Sequence, residues 1–187
     1  MPMDERKKRL LNLIRLRSFE RRDVVLTSGK RSAYYVDGKQ TTLYPEGAYL
    51  TGELLFEEIR SFDGRVDAVG GPTLGADPLV TAITVSSFLH GDPLPGFLIR
   101  KAPKRHGTMQ WIEGAKSLFP GAAVALVEDV MTTGGSLLKA VRIVRKLGYT
   151  VAMAGVLLDR LEGGGRALDE EGVPHFSLFT IEDLGEL

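Results

Sequence analysis

Val124-Ala125-Leu126-Val127-Glu128-Asp129-Val130-Met131-Thr132-Thr133-Gly134-Gly135-Ser136 runs from an apolar strand into two adjacent carboxylates and then a loop of hydroxyls and glycines. Four consecutive apolar residues read as a strand buried on both faces, as in a parallel sheet. The acidic pair then stands at the strand's carboxyl end, where open α/β sheets bind their ligands. Beyond it, glycines let the backbone approach an anion, hydroxyls add donors, and the free amides of a helix starting near Ser136 point to the same place. A phosphate suits that loop. Glu128 and Asp129 would repel it, so their partners are neutral hydroxyls, such as a ribose diol, or a divalent cation. Together the features predict a sugar-phosphate site.

Two plainer readings compete. A hydrophobic run ending in Glu-Asp also resembles the Mg-binding strand of P-loop NTPases, but G-x-x-x-x-G-K-[ST] occurs nowhere in the chain. An ordinary buried strand followed by a capped helix would explain the apolar run, but not why acids, hydroxyls and glycines coincide after it.

The run closely resembles the 5-phosphoribosyl pyrophosphate (PRPP) motif of the type I phosphoribosyltransferases: apolar residues, two acids, two apolar residues, then Thr, a small residue, Gly and a small hydroxyl. The resemblance implies an α/β fold of that type, a central and mainly parallel sheet flanked by helices with a small N-terminal hood. It also implies PRPP contacts from Glu128, Asp129, Val130, Met131, Thr132, Thr133, Gly134, Gly135 and Ser136. The acids would hold the ribose hydroxyls, with Asp129 among the catalytic residues, and the loop would hold the 5-phosphate.

At 187 residues the chain has room for one domain with a full core. The expectation is a single domain over residues 1–187, with the hood contributed mainly by residues 1–45. Hydrophobic residues at 43% and charged residues at 26% fit a soluble globular protein. Lys plus Arg and Asp plus Glu both number 24, so no overall field draws in nucleic acid and any attraction for anions is local. The absence of cysteine excludes disulfides, thiolate metal sites and a cysteine nucleophile. The charged N-terminus is followed by no apolar h-region, and no long apolar span occurs, so a cytoplasmic location is expected.

Periodicity predicts an amphipathic helix over Asp4 to Leu16, hood strands at Val24 to Leu26 and Tyr34 to Val36, and a helix entered at Pro45. Strands are expected at Val66 to Gly71, Gly96 to Lys101, Val124 to Asp129, Val151 to Asp159 and His175 to Thr180. Helices are expected near Pro78 to Leu89 and Ser136 to Leu147. Such alternation implies right-handed crossovers and a parallel sheet.

Arg100-Lys101-Ala102-Pro103-Lys104-Arg105-His106-Gly107-Thr108 follows a strand with a dense run of cations. Alone it reads as a solvated charged turn. Beside a phosphoribosyl site, it is the densest supply of cations for a pyrophosphate leaving group. From Arg100 to Gly114 the chain resembles the catalytic loop of the orotate-specific branch of the family, R-K-x-x-K-x-H-G-T leading to I-E-G. The resemblance implies PRPP contacts from Arg100, Lys101, Lys104 and His106, with Lys104 and His106 catalytic. It further implies a homodimer in which the loop serves the neighbouring subunit's site. Met109-Gln110-Trp111 departs from the expected Gly-Lys sequence, and Trp111 reads either as a contact between loop and body or as a partly buried aromatic.

Ser28 to Asp37 resembles the same branch's hood, which implies orotate binding at Lys30; Thr27 stands where some members carry a lysine. Tyr34 and Tyr35 serve equally well as core packing. Arg160, ending a strand, matches the base-binding arginine, since guanidinium pairs a carboxylate bidentately. The alternative is an exposed charge paired with Glu162. Thr132 is expected to touch orotate as well as PRPP. Gly70-Gly71-Pro72-Thr73-Leu74-Gly75-Ala76-Asp77-Pro78 resembles the family's short pyrophosphate loop, though a plain tight turn has the same composition. His90, His106 and His175 share no metal-ligand spacing. Mg2+ is therefore expected to arrive with PRPP, with no protein cage of its own. Rival functions are a type I transferase for another nucleobase and a non-catalytic PRPP-binding regulator, although no helix-turn-helix is evident for the latter.

Overall fold

A computed structural model of the chain describes residues 4–25, 31–103 and 111–185. The elements are α1 (Glu5–Arg17), β1 (Phe19–Val25), β2 (Arg31–Val36), α2 (Lys39–Thr42), α3 (Pro45–Ser61), β3 (Ala68–Pro72) and α4 (Ala76–Leu89). They continue with β4 (Gly96–Ile99), β5 (Ile112–Glu113), β6 (Ala123–Met131), α5 (Gly135–Lys146), β7 (Thr150–Asp159), α6 (Gly164–Glu170) and β8 (His175–Thr180). β1 and β2 pair antiparallel as a separate hood, and the remaining strands form one sheet in the order β5-β4-β3-β6-β7-β8. Every pairing in that sheet is parallel except the short edge contact of β5 with β4.

The central strand shows why the sheet needs helices on both sides. Val124 to Val127 are all at 0% exposure. Side chains alternate along a strand, so Val124 and Leu126 enter the layer closed by Val141 and Val144 of α5, while Ala125 and Val127 enter the layer of Leu55, Ile59, Leu79 and Ile83 from α3 and α4. The first helix joins the second layer through Leu10 and Ile14, both nearly inaccessible. Each such side chain contributes about 1.5–3 kcal/mol on burial, which is what stabilises a helix of this length in water. Asp4 caps it by accepting the Arg6 backbone N–H at 3.0 Å.

The winding direction decides where a ligand fits. β3 crosses over through α4 to β4 on one side, and β6 crosses through α5 to β7 on the other. The reversal falls between β3 and β6, opening a crevice at their carboxyl ends.

The expected order of strands and helices is present, with shifted boundaries. The hood strands are longer than expected, because the charged run Glu20 to Asp23 is tolerated on a two-stranded ribbon with a solvated face. The strand expected to reach Lys101 ends at Ile99, and the helix expected from Ser136 begins at Gly135. β5, α2 and α6 carry no sequence period long enough to announce them; α6 starts inside a run of three glycines.

Candidate active site

Four strand ends converge at the reversal point: β3 with its turn Thr73 to Gly75, β4 with Arg100 and Lys101, β6 with the acidic pair, and β7 with Arg160. The Thr73–Leu74 peptide is cis.

Alternation places the two carboxylates on opposite faces of the β6 tip. Glu128 turns toward the start of α5, where Ser136 hydrogen-bonds it. Asp129, 8% exposed, turns toward the hood and α4. A Cβ added to Gly38 would come within 2.9 Å of Asp129 Oδ2, and one on Gly75 would collide with Oδ1. These glycines let two turns close on the carboxylate. The Val130 N–H donates to Asp129 Oδ1 at 2.9 Å. Lys39 places its Nζ 3.8 Å from Asp129 Oδ2 and 2.6 Å from Asp37 Oδ1.

Burial, and then the neighbouring Asp129 charge, push the Glu128 carboxyl up to about 7 against the opposing Ser136 hydrogen bond. Burial also raises Asp129, with Lys39 and the Val130 amide pulling the other way. Two desolvated acids with so little cationic compensation form a site that gains from hydroxyl donors or an arriving cation. Among the described residues no three His, Asp or Glu side chains gather as a metal cluster.

Past Met131 the chain turns through Thr132, Thr133 and Gly134 into α5. Gly134 has φ 75°, a left-handed conformation that disfavours side chains, and an added Cβ would lie 3.2 Å from Gly164 Cα. The Gly164 N–H donates to the Thr132 carbonyl at 3.1 Å, fixing the loop to α6. Thr133, Gly135 and Ser136 are exposed and Thr132 is half-buried. The first amides of α5, without intrahelical partners as at any helix start, are donors available to an anion there. Val130 is half-buried, and the Met131 side chain is 1% exposed, leaving Met131 only its backbone to offer a ligand.

Arg100 pairs with Glu113 at 2.8 Å, and Lys101 is exposed. Both line a cavity of about 280 Å³ with Pro72, Thr73, Ser136 and Lys139. On the other flank, Arg160 is only 5% exposed, its guanidinium 4.6 Å from the Tyr34 ring centroid and its Nε 2.9 Å from Glu162. It pairs with Glu162 as the plainer reading expects, but as a buried group facing the hood. Lys30, Lys104 and His106 lie outside the described residues.

Two cations went unnoticed in the sequence. Lys39 follows the hood in Asp37-Gly38-Lys39, where a glycine between opposite charges at a strand end is the available signal. Lys139 sits one helical turn after Ser136, and only the start of α5 could have pointed to it.

The Phosphoribosyl transferase domain family matches residues 40–171. The chain is 45% identical over 177 residues to the orotate phosphoribosyltransferase of Sorangium cellulosum (strain So ce56), covering 95% of this chain and 92% of that one. With the orotate phosphoribosyltransferase of Aquifex aeolicus (strain VF5) it shares 46% over 187 residues, covering 98% and 100%. Among solved structures, Mycobacterium tuberculosis H37Rv orotate phosphoribosyltransferase in complex with PRPP superposes with a TM-score of 0.81 at 36% identity, covering 97% of this chain and 99% of that one.

Proposed function

Because the chain belongs to the phosphoribosyl transferase family, we propose that it acts as an orotate phosphoribosyltransferase, making orotidine 5'-monophosphate and pyrophosphate from PRPP and orotate in de novo pyrimidine (UMP) biosynthesis. The observation that carries this reading is the Glu128–Asp129 pair at the reversal of the sheet, flanked by a phosphate-type loop and by strand-end cations.

In the reaction a bond forms between the ring nitrogen of orotate and the anomeric carbon. The bond from that carbon to the pyrophosphate oxygen breaks, its electron pair leaves with pyrophosphate, and the ring-nitrogen proton is released. Positive charge grows on the sugar and negative charge on the leaving group, so catalysis is a matter of placed charges and exclusion of water. Asp129 and Glu128 hold the ribose hydroxyls. Thr133, Gly134, Gly135 and Ser136 hold the 5-phosphate with the α5 amides, and Val130 and Met131 contribute backbone groups. Arg100 and Lys101 clamp the diphosphate, and Lys104 and His106 meet the charge developing on it. Thr132 lies between sugar and base, while Lys30 and Arg160 receive the orotate carboxylate.

Mg2+ bound to PRPP would supply positive charge to the diphosphate, next to the Glu128–Asp129 pair. Two acids, Asp129 buried and Glu128 half-buried, whose carboxyls are raised by desolvation support that fit.

The working unit is a homodimer with the basic loop serving the partner's site. Val85, Phe88 and Leu89 of α4 and Leu74 of the adjacent turn are large apolar side chains at 54–74% exposure, a face that suits a second copy beside the crevice. No helix among the described residues is long and apolar enough to cross a membrane, and a cytoplasmic location accords with the activity.

The deciding assay follows orotate absorbance with PRPP and Mg2+. Loss of orotate with stoichiometric pyrophosphate is expected. Turnover of hypoxanthine, adenine or uracil with orotate untouched would reassign the base, and PRPP binding without turnover of any base would leave a regulator.

A further inference from the structure

The chain leaves the sheet after Ile99 and re-enters it at Ile112–Glu113, with Trp111 just before. Two contacts close this base from within: the Arg100 N–H donates to the Trp111 carbonyl at 2.9 Å, and the Arg100 guanidinium pairs with Glu113 at 2.8 Å. A third contact comes from a different element. Lys139 of α5 donates from Nζ to the Lys101 carbonyl at 3.2 Å, and the same ammonium lies 5.8 Å from the Trp111 ring centroid. One side chain thus touches the outgoing and the returning end of the segment. Its backbone is held by a helix whose neighbouring residues Leu137 and Ala140 are fully buried, and Trp111 packs against that same core layer.

We propose that Lys139 is a positioning residue for the diphosphate half of the substrate, clasping Lys101 and Trp111 so that Arg100 and Lys101 stay aimed into the crevice from the helix that begins at the 5-phosphate loop. The proposal rests on the reading of this crevice as a PRPP site. The chemistry suits a lysine: a compact ammonium donates to a carbonyl while its remaining charge lies on an aromatic face. Without it Arg100 keeps its two contacts to Trp111 and Glu113, but Lys101 and the Trp111 ring lose the side chain that ties them together. Arg100 and Lys101 then meet the diphosphate in more orientations, a cost that falls on PRPP and not on orotate or the chemical step.

Trp111 is the chain's single tryptophan, so its emission, excited selectively over the five tyrosines, reports this contact. Wild type, Lys139→Met and Lys139→Arg are compared first by ligand-free emission and then by steady-state kinetics, varying PRPP with Mg2+ and orotate in turn. Lys139→Met is expected to red-shift the emission and to raise KM for PRPP roughly fivefold, the equivalent of one modest hydrogen bond plus one partly exposed cation–π contact. KM for orotate and kcat stay within about twofold and Lys139→Arg stays near wild type, as expected when only ground-state positioning is lost. Unchanged ligand-free emission, or an unchanged KM for PRPP, overturns the proposal. A raised KM with unchanged emission assigns Lys139 to direct anion contact and also overturns it. If wild type turns over no orotate, the functional reading fails. The clasp is still decided by the ligand-free spectra and by calorimetric binding of Mg2+-pyrophosphate to the same three proteins.

Discussion

Lys39 hangs over the buried carboxylate of Asp129, 3.8 Å from Oδ2, while Asp37 holds its ammonium at 2.6 Å. The groups around Asp129 are therefore one cation and one anion from the chain after the hood strands, the Val130 amide, and the Gly38 and Gly75 backbones. Only Lys39 among these favours the ionised acid by its charge. The hood thus conditions the charge of a residue on the central strand.

Removing that cation shifts Asp129 further upward, because burial remains and its largest counterweight is gone. For Lys39→Met, the acidic limb of the kcat/KM profile for PRPP is expected to move to higher pH. Activity then falls more on the acidic side of the profile than on its alkaline side, where the carboxylate is ionised in both proteins. Lys39→Arg keeps the wild-type limb. A pH-rate profile that does not move in the methionine variant would show that Lys39 does not govern Asp129.

Glu128 stores free energy in the ligand-free protein. Its folded carboxyl sits at about 7, above the ordinary 4.5, so between those values the folded state binds more protons than the unfolded one. Stability accordingly falls as pH rises through that window, and the penalty is complete above about pH 7. Glu128→Gln removes the penalty. Its Tm should exceed wild type at about pH 8, by on the order of 5 °C, and the gain should vanish at about pH 4.5. PRPP affinity should drop at the same time. Calorimetric scans at both pH values check the sign, and equal Tm values at pH 8 would refute it.

Two glycines of the site fail for different reasons when replaced. Gly75 has φ −60° and ψ −39°, conformations alanine adopts readily, so Gly75→Ala should bring no backbone strain. Its new Cβ displaces the Asp129 carboxylate and should weaken PRPP by about tenfold or more, since a misplaced catalytic group is costly even at ångström scale. Gly134, at φ 75°, is the reverse: Gly134→Ala should cost about 1–2 kcal/mol of stability through backbone strain. Isothermal titration with PRPP and denaturant unfolding of both variants separate the two effects.

The acidic pair, its loop and the alternation of strands with helices were legible in the sequence because each leaves a local trace. A buried parallel strand must be apolar throughout, and an anion loop must be small and hydroxylated. The strand ends were less legible: β4 stops with its apolar run at Ile99, and the charged Arg100 and Lys101 that follow contain no Gly or Pro to mark the end. Lys39 and Lys139 leave only faint traces of their roles in the sequence. Each acts across an element boundary, toward Asp129 in one case and toward Lys101 and Trp111 in the other, and such contacts exist only after the chain folds. The split of Glu128 and Asp129 onto opposite faces was available from strand alternation alone.

Arg160 tests base recognition independently of the sugar site. It is already oriented, by Glu162 at 2.9 Å and by the Tyr34 ring at 4.6 Å, and it extends from the end of the strand next to the acidic pair. Truncation would strand Glu162 in a half-closed pocket and confuse binding with stability, so the informative change is Arg160→Lys, which keeps the charge and loses the planar fork. KM for orotate should rise on the order of tenfold while KM for PRPP holds within about twofold, because a bidentate carboxylate contact becomes a point contact. Discrimination between orotate and uracil, which lacks the carboxylate, should narrow by a similar factor. Parallel kinetics with both bases measure it, and an equal loss on orotate and uracil would show that Arg160 shapes the hood without reading the carboxylate.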